Sequence, residues 1–474
     1  MDHARRRALA AIATGSVLAG CDSQSGSTTT EQETISTSIT SQGSRTRAAR
    51  PLDPVDGRAF GYTHVRPGGN RLVGGRGALP DADPVEIRLG ETPQWLVALP
   101  LASGSLWAVV GERGRARAFV VRDGSAAPTP ITPGRRPPET PPLLTVVEGN
   151  ARLLTGPSNA SKLSHPLVLD DGRRLSVRRN GDVVLTGESG TERARATLDA
   201  LPDARLVRAG GRVAVLAGRT TRYDHGVLGD GIEAERCVLL DPDDLAIAAR
   251  IEPSGVVEGT APILASLAGN DDSEVILTVS DAERGARVVA FDTAGARLAA
   301  GEGFDGGYHW RHQLAVAPFA ADGVPELAAV ETPHVGGTLR FYRREGGTLG
   351  VVGAVSGYAS HTIGSRVLDG AVAGDFDGDG RPELLVPDDS RTTLGAVRRI
   401  ENGAREEWQL PIGGTLTTNV TGTELADGGV AVGVGHADGV RIWQSSARQG
   451  RSSPVAGSTT RACGRSRNDV QPTR

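Results

Sequence analysis

A chain of 474 residues with 38% hydrophobic content can bury a large core, and a formal net charge of −4 gives no electrostatic case for nucleic-acid binding. Glycine (64) and proline (28) are abundant, and long apolar periodic helices are absent, which favours an all-β chain with many turns. Three cysteines exclude a disulfide framework, and aromatic residues at 4% weaken a carbohydrate site built on stacking platforms.

The N-terminus reads as an export signal. Arg5-Arg6-Arg7 precedes a short apolar run, Ala8 to Leu18, and the small residues Ala19-Gly20 lead to Cys21. The run is too short to span a bilayer as a helix. Leu18-Ala19-Gly20-Cys21 resembles the bacterial lipobox, which implies lipidation of Cys21 and an anchor on the extracytoplasmic side of a bacterial membrane, in the periplasmic envelope. Plain secretion with an incidental cysteine is the alternative. Residues 22–50 are rich in Ser and Thr and nearly devoid of large apolar groups, so they are expected to be a disordered linker.

From residue 51 to 445 the chain repeats short strand–turn–strand units. Leu106-Trp107-Ala108-Val109-Val110 is expected to pair with Ala118-Phe119-Val120-Val121, and Arg174-Leu175-Ser176-Val177 with Asp182-Val183-Val184-Leu185. Val213-Ala214-Val215-Leu216 is followed after a long loop by Cys237-Val238-Leu239-Leu240, where the cysteine reads as a strand-packed thiol. Glu274-Val275-Ile276-Leu277 leads to Arg287-Val288-Val289-Ala290, and Val430-Ala431-Val432 to Val440-Arg441-Ile442-Trp443. Recurrence every 45–60 residues or so, and the need to cover both faces of each small sheet, predict a β-propeller of about seven four-stranded blades, with six or eight also open. The last stretch, 446–474, is polar and is expected to be a disordered tail.

One loop stands out. Asp375-Phe376-Asp377-Gly378-Asp379-Gly380-Arg381-Pro382-Glu383 places carboxylates at positions 1, 3, 5 and 9 between two strand-like runs. Such spacing suits a hard cation such as calcium, with Asp375, Asp377, Asp379, the Arg381 carbonyl and Glu383 as ligands. Position 12 is Val386 rather than glutamate, so the helix–loop–helix calcium motif does not apply. The segment, with Leu384-Leu385-Val386 after it, resembles the calcium loop and following strand of FG-GAP/VCBS repeats. That resemblance implies a propeller with a structural calcium ion and no particular reaction. A degraded relative, Asp322-Gly323-Val324-Pro325-Glu326-Leu327, lacks the preceding aspartates and is expected to hold no metal.

Histidines sit in several inter-strand loops: His225, His312 beside Trp310, His334 and His361. Equivalent loops of a propeller converge on one end of the channel, so these residues form a candidate ligand site, with loop histidines bonded to backbone carbonyls as the alternative. No nucleophile elbow, phosphate loop or zinc-protease motif is present, and no catalytic residue is assigned. The expectation is a lipid-anchored, monomeric binding or scaffolding propeller with an unknown protein or glycan ligand. The alternative is an enzyme whose site lies among the histidine loops. A cell-envelope assembly factor differs from the first reading only in its partner.

Overall fold

The computed structural model describes residues 51–447 apart from Asp224, 305–308 and Val335. Cys21, the 22–50 segment and 448–474 therefore lie outside the described residues. Within them the chain is all β, with a single 3-10 turn, Leu79–Asp81. None of the described helices is long and apolar enough to cross a membrane.

Among the described residues the strands sort into eight groups of four, with Leu72–Arg76 added as a fifth strand to one of them; eight is at the upper end of the range that repeat spacing left open. In chain order they are blade 1 (93–129), blade 2 (131–153), blade 3 (167–197), blade 4 (207–251), blade 5 (256–301), blade 6 (311–358), blade 7 (372–411) and blade 8 (421–445). The hairpins read from alternation form as expected, for example Ser105–Gly111 with Ala116–Arg122 and Arg174–Val177 with Asp182–Thr186. Two blades are completed from far upstream. Phe60–Gly61 joins blade 2, and Val85–Arg88 pairs antiparallel with Gly439–Ser445 as the fourth strand of blade 8. This second pairing closes the ring with strands from both ends of the fold.

Both faces of the inner strands are buried, which explains apolar runs without strict alternation. In Glu383–Pro387, Leu384 and Val386 pack with Leu314 and Val330 of blade 6. Leu385 faces the other way, into a cluster with Val430 and Val432 of blade 8. Successive side chains of a strand point to opposite faces, so one strand serves two inter-blade cores. The same logic continues around the ring. Leu96 and Trp107 of blade 1 meet Ala431 and Ile442 of blade 8, and Ile276 of blade 5 meets Leu327 of blade 6. Cys237 is buried as a free thiol in the largest of these cores.

A segment preceding the first blade, residues 54–76, runs across the ring and touches every blade. Pro54 bridges Leu101 of blade 1, Phe60–Gly61 lies in blade 2, and the Tyr62 hydroxyl accepts from Val168 N–H of blade 3. The Pro67 and Gly68 carbonyls accept from Arg208 and Leu264 of blades 4 and 5, each at 2.8 Å. Asn70 exchanges two 2.9 Å hydrogen bonds with the Val316 backbone of blade 6. Leu72–Arg76 then lies parallel to Val372–Asp375 of blade 7, and Arg76 N–H donates to Gly428 of blade 8. Gly69, at φ 79°, passes so close to blade 5 that a Cβ would sit 2.7 Å from the Pro262 carbonyl oxygen. This strap ties the blades together.

Candidate functional site

Antiparallel connection places the loops of each blade on two faces. Inter-blade linkers and the loops between second and third strands share one face. Loops between first and second strands share the other. The acid loop, between Val372–Asp375 and Glu383–Pro387, is therefore on the strap side, and the histidine loops are opposite.

In the acid loop, oxygens of Asp375, Asp377 and Glu383 lie within 4.8 Å of one another. The turn is built by backbone donors. Gly378 N–H and Gly380 N–H bond the two Asp375 oxygens at 2.9 and 3.0 Å, and Phe376 N–H bonds Glu383 at 3.0 Å. Both glycines have positive φ (82° and 97°), as the sharp reversal requires. A Cβ on Gly378 would meet the Gly77 carbonyl oxygen of the strap at 2.4 Å. The donor set fits a hard cation. Asp379 is not within that group and accepts from Arg398, whose guanidinium also bonds Asp377 at 2.6 Å and Glu383. Arg76 pairs with Asp375 at 3.0 Å. Burial, then the Asp377 charge, pushes the Glu383 carboxyl up to about 8. Arg398 keeps its proton firmly because Glu383, Asp377 and Asp379 outweigh its burial.

Comparing blades 6 and 7 shows that this arginine is a repeated feature. Arg343 donates to Asp322 and to Glu326, both at 2.7 Å, as Arg398 does to Asp379 and Glu383. The sequence reading missed both arginines. Aligning the Pro-Glu-Leu cores and following each to its third strand would have found them.

On the opposite face, the structure brings together Trp310, His312, His334 and His361. The Trp310 ring centroid is 4.9 Å from those of both His312 and His361, and His361 is 6.4 Å from His312 and 6.1 Å from His334. His312 Nδ1 meets the Ser360 hydroxyl at 2.8 Å, while His361 Nε2 donates to the Ser365 carbonyl at 2.8 Å. His312 Nε2, His334 Nδ1 and His361 Nδ1 are buried with no hydrogen-bond partner among the described residues. His225 instead pairs with Glu258 at 2.7 Å. Burial pushes His361 down to about 4 and holds His312 well below the usual histidine range. Glu233, nearby, is pushed up to about 9 by burial and then by Glu258, Asp203 and Asp230. Unlike the acid loop, the histidines do not bring three ligand atoms within 4.8 Å.

Beneath them lies a void of about 20 Å³, lined in part by Glu258, Trp310, His312 and Arg205. It has room for about one water molecule. Small-molecule pockets occupy several hundred Å³, so this void is too small to hold such a ligand. Trp95, Trp107 and Trp443 are buried packing residues, and Trp408 is half-buried.

Comparison with known proteins gives three results. An FG-GAP-like repeat matches residues 319–386, which run from the first loop of blade 6 through the acid loop to the second strand of blade 7. No curated protein matches the chain. Among solved structures the chain is similar to BamB from Moraxella catarrhalis, at 13% identity and TM-score 0.39, covering 77% of this chain and 98% of that one. It is also similar to the WD40 beta propeller domain of Doa1, at 10% identity and TM-score 0.38, covering 76% and 95%.

Proposed function

We propose that this protein is a lipid-anchored, extracytoplasmic propeller that works as a binding or scaffolding module and uses calcium to brace one blade. The observation that carries the binding reading is the strap. Residues 54–76 tie all eight blades into one body, and the void at the histidine end holds about one water. What remains for binding is the outside of the ring, its rim and the recesses on its strap side, which leaves room for a protein or glycan ligand. The convergence of Trp310 with His312, His334 and His361 is what an enzyme reading rests on. The small size of the void beneath Trp310 and His312, about 20 Å³, weighs against it.

Calcium would be held by Asp375, Asp377 and Glu383, with Asp379 and the Arg381 carbonyl joining if Arg398 yields. Its chemistry is charge neutralisation among clustered carboxylates. Anchoring rests on Cys21 at the end of the Leu-Ala-Gly-Cys run.

Calorimetric titration of calcium, with metal analysis of the same sample, tests the first part. One site lost on Asp377→Ala is expected, and an identical titration of that variant would remove calcium from the account. Membrane fractionation of Cys21→Ser tests the second: the variant should leave the membrane fraction, and retention there would refute lipid anchoring through Cys21.

A further inference from the structure

The strap side of the ring carries a recess of about 580 Å³, within the range of small-ligand pockets and far larger than the void under the histidines. Its walls are apolar on several sides: Phe60, Val65, Leu72 and Val73 from the strap, and Val168 and Leu169 from blade 3. Its charges are unequal. Arg58 pairs with Glu424 at 2.9 Å, and Arg208 holds Asp170 with both terminal nitrogens. Arg66 also lines the recess; the Glu424 carboxylate, already paired with Arg58, acts on it electrostatically, but among the described residues no carboxylate stands within ion-pair distance of it. It uses Nε–H on the Leu72 carbonyl at 2.7 Å, which fixes the guanidinium and leaves its terminal nitrogens for another acceptor.

The backbone beneath Arg66 is held in an unusual form. Val65 has φ 70°, a left-handed conformation that a β-branched residue rarely adopts. Hydrogen bonds from Val65 N–H to Tyr62, from Arg66 N–H to His64 and from Gly69 N–H to Arg66 close a tight loop around it. Strain of this kind persists where the surroundings fix it, and it collects at ligand sites. A second recess of about 540 Å³ shares Arg66, Pro67, Leu169 and Arg208, so Arg66 stands on the wall between two open volumes.

We propose that this recess binds a small amphipathic anion, its apolar body against Phe60, Leu72 and Val168 and its single negative group on Arg66. The proposal rests on reading the ring as a binding module, and it is independent of the acid loop. A ligand with a carboxylate head would gain a charge-assisted, two-pronged contact that a neutral or cationic head would not.

The test is calorimetric titration of the full chain with decanoate below its micelle concentration, beside decyl maltoside and decylammonium. One equivalent of decanoate is expected to bind, with the other two weaker by about tenfold or more, the worth of one hydrogen bond to a charged group. Arg66→Gln should lose about the same factor, and Leu72→Trp, which fills the recess, should abolish binding while its melting curve stays in place. Equal binding of the neutral amphiphile, or decanoate affinity unchanged in Arg66→Gln, overturns the proposal. Neither result bears on the calcium titration, so the two readings fail separately.

Discussion

Asp369 accepts a 2.9 Å hydrogen bond from Arg71 Nε inside the ring, joining the linker between blades 6 and 7 to the strap. Its other oxygen is bonded by Arg205, from the linker between blades 3 and 4. Burial alone would raise this carboxyl, but Arg205 and Arg71 hold it well below the usual carboxylate range. One carboxylate thus locks three distant segments at the centre of the fold.

Asp369→Asn should therefore be costly. It leaves two guanidinium groups in a site where both Asp369 and Arg205 are nearly inaccessible to water. Removing one partner of a buried ion pair costs about 3–5 kcal/mol. Urea denaturation should show that loss as a lower midpoint with an unchanged slope. A midpoint equal to wild type would mean that the triad contributes nothing net.

Arg398 and calcium should compete for the acid loop. Asp375, Asp377, Asp379 and Glu383 face Arg398 and Arg76, with Arg381 more distant at 3.9 Å from Asp379. With Arg398 withdrawn, the carboxylates would face only Arg76 and Arg381, and the negative charge left over is what a divalent ion would neutralise. Arg398→Gln should cost about 3 kcal/mol in chelator, as for a broken buried pair, and regain most of it in calcium. Asp377→Ala with Asp379→Ala should lower the melting temperature in calcium. A melting curve of Arg398→Gln that ignores calcium would show that the arginine is the loop's own permanent cation.

How much of this was legible follows the range of the interactions. The acid loop and the hairpins are local, written in turn residues and period-two alternation within about twenty residues of chain. Leu384, Leu385 and Val386 announce a strand buried on both faces before any partner is known. The ring closure is not local: Val85 pairs with Ile442, and nothing in Val85-Glu86-Ile87-Arg88 marks it as the last strand of the last blade. The strap is equally silent, because Gly68, Gly69 and Asn70 read as a loop until blades 5 and 6 stand beside them. For the histidines, sequence could name the loops that meet, but the side-chain partners Glu258 and Ser360 come from neighbouring segments brought in by the ring.

Buried histidines should make the protein acid-sensitive well above the carboxylate range. Burial first, then Arg205, pushes His165 down to about 4 from 6.5, and burial pushes His361 down to about 4. Burial likewise holds His64 and His312 well below the usual histidine range. Between the folded and unfolded values the unfolded chain binds more protons, so stability falls as pH drops through 6.5 towards 4. Each such histidine contributes about 1.4 kcal/mol per pH unit in that window. Glu233 has the opposite sign: held near 9, it binds its proton in the folded state and weakens the fold as pH rises from 4.5. Stability should peak near neutrality, and His361→Gln should flatten the acid limb by about 1.4 kcal/mol per unit. An acid limb with the same slope in that variant would show that His361 is not buried neutral.

One added methyl group should disturb the contact between blades 8 and 1. Gly433 of blade 8 lies against the Trp107 ring of blade 1, and a Cβ there would stand 2.4 Å from Trp107 Cζ3 and 3.1 Å from Leu96 Cδ2. Its φ is not in the left-handed region, so alanine carries no backbone penalty of its own and the effect is one of volume. The tryptophan cannot swing away freely: Trp107 is fully buried and its Nε1–H donates to the Ser105 hydroxyl at 2.7 Å. That hydroxyl in turn bonds Gln444 of blade 8 at 2.8 Å. Nearby, Asn419 clamps the Leu96 backbone from both sides, at 3.0 and 2.8 Å. Overpacking of a close-packed core costs about 1–3 kcal/mol. Gly433→Ala should lose that much by urea denaturation, and Gly433→Ala with Trp107→Leu should recover part of it. If the double variant shows only the sum of two independent losses, Gly433 and Trp107 are not in the contact that holds blades 8 and 1 together.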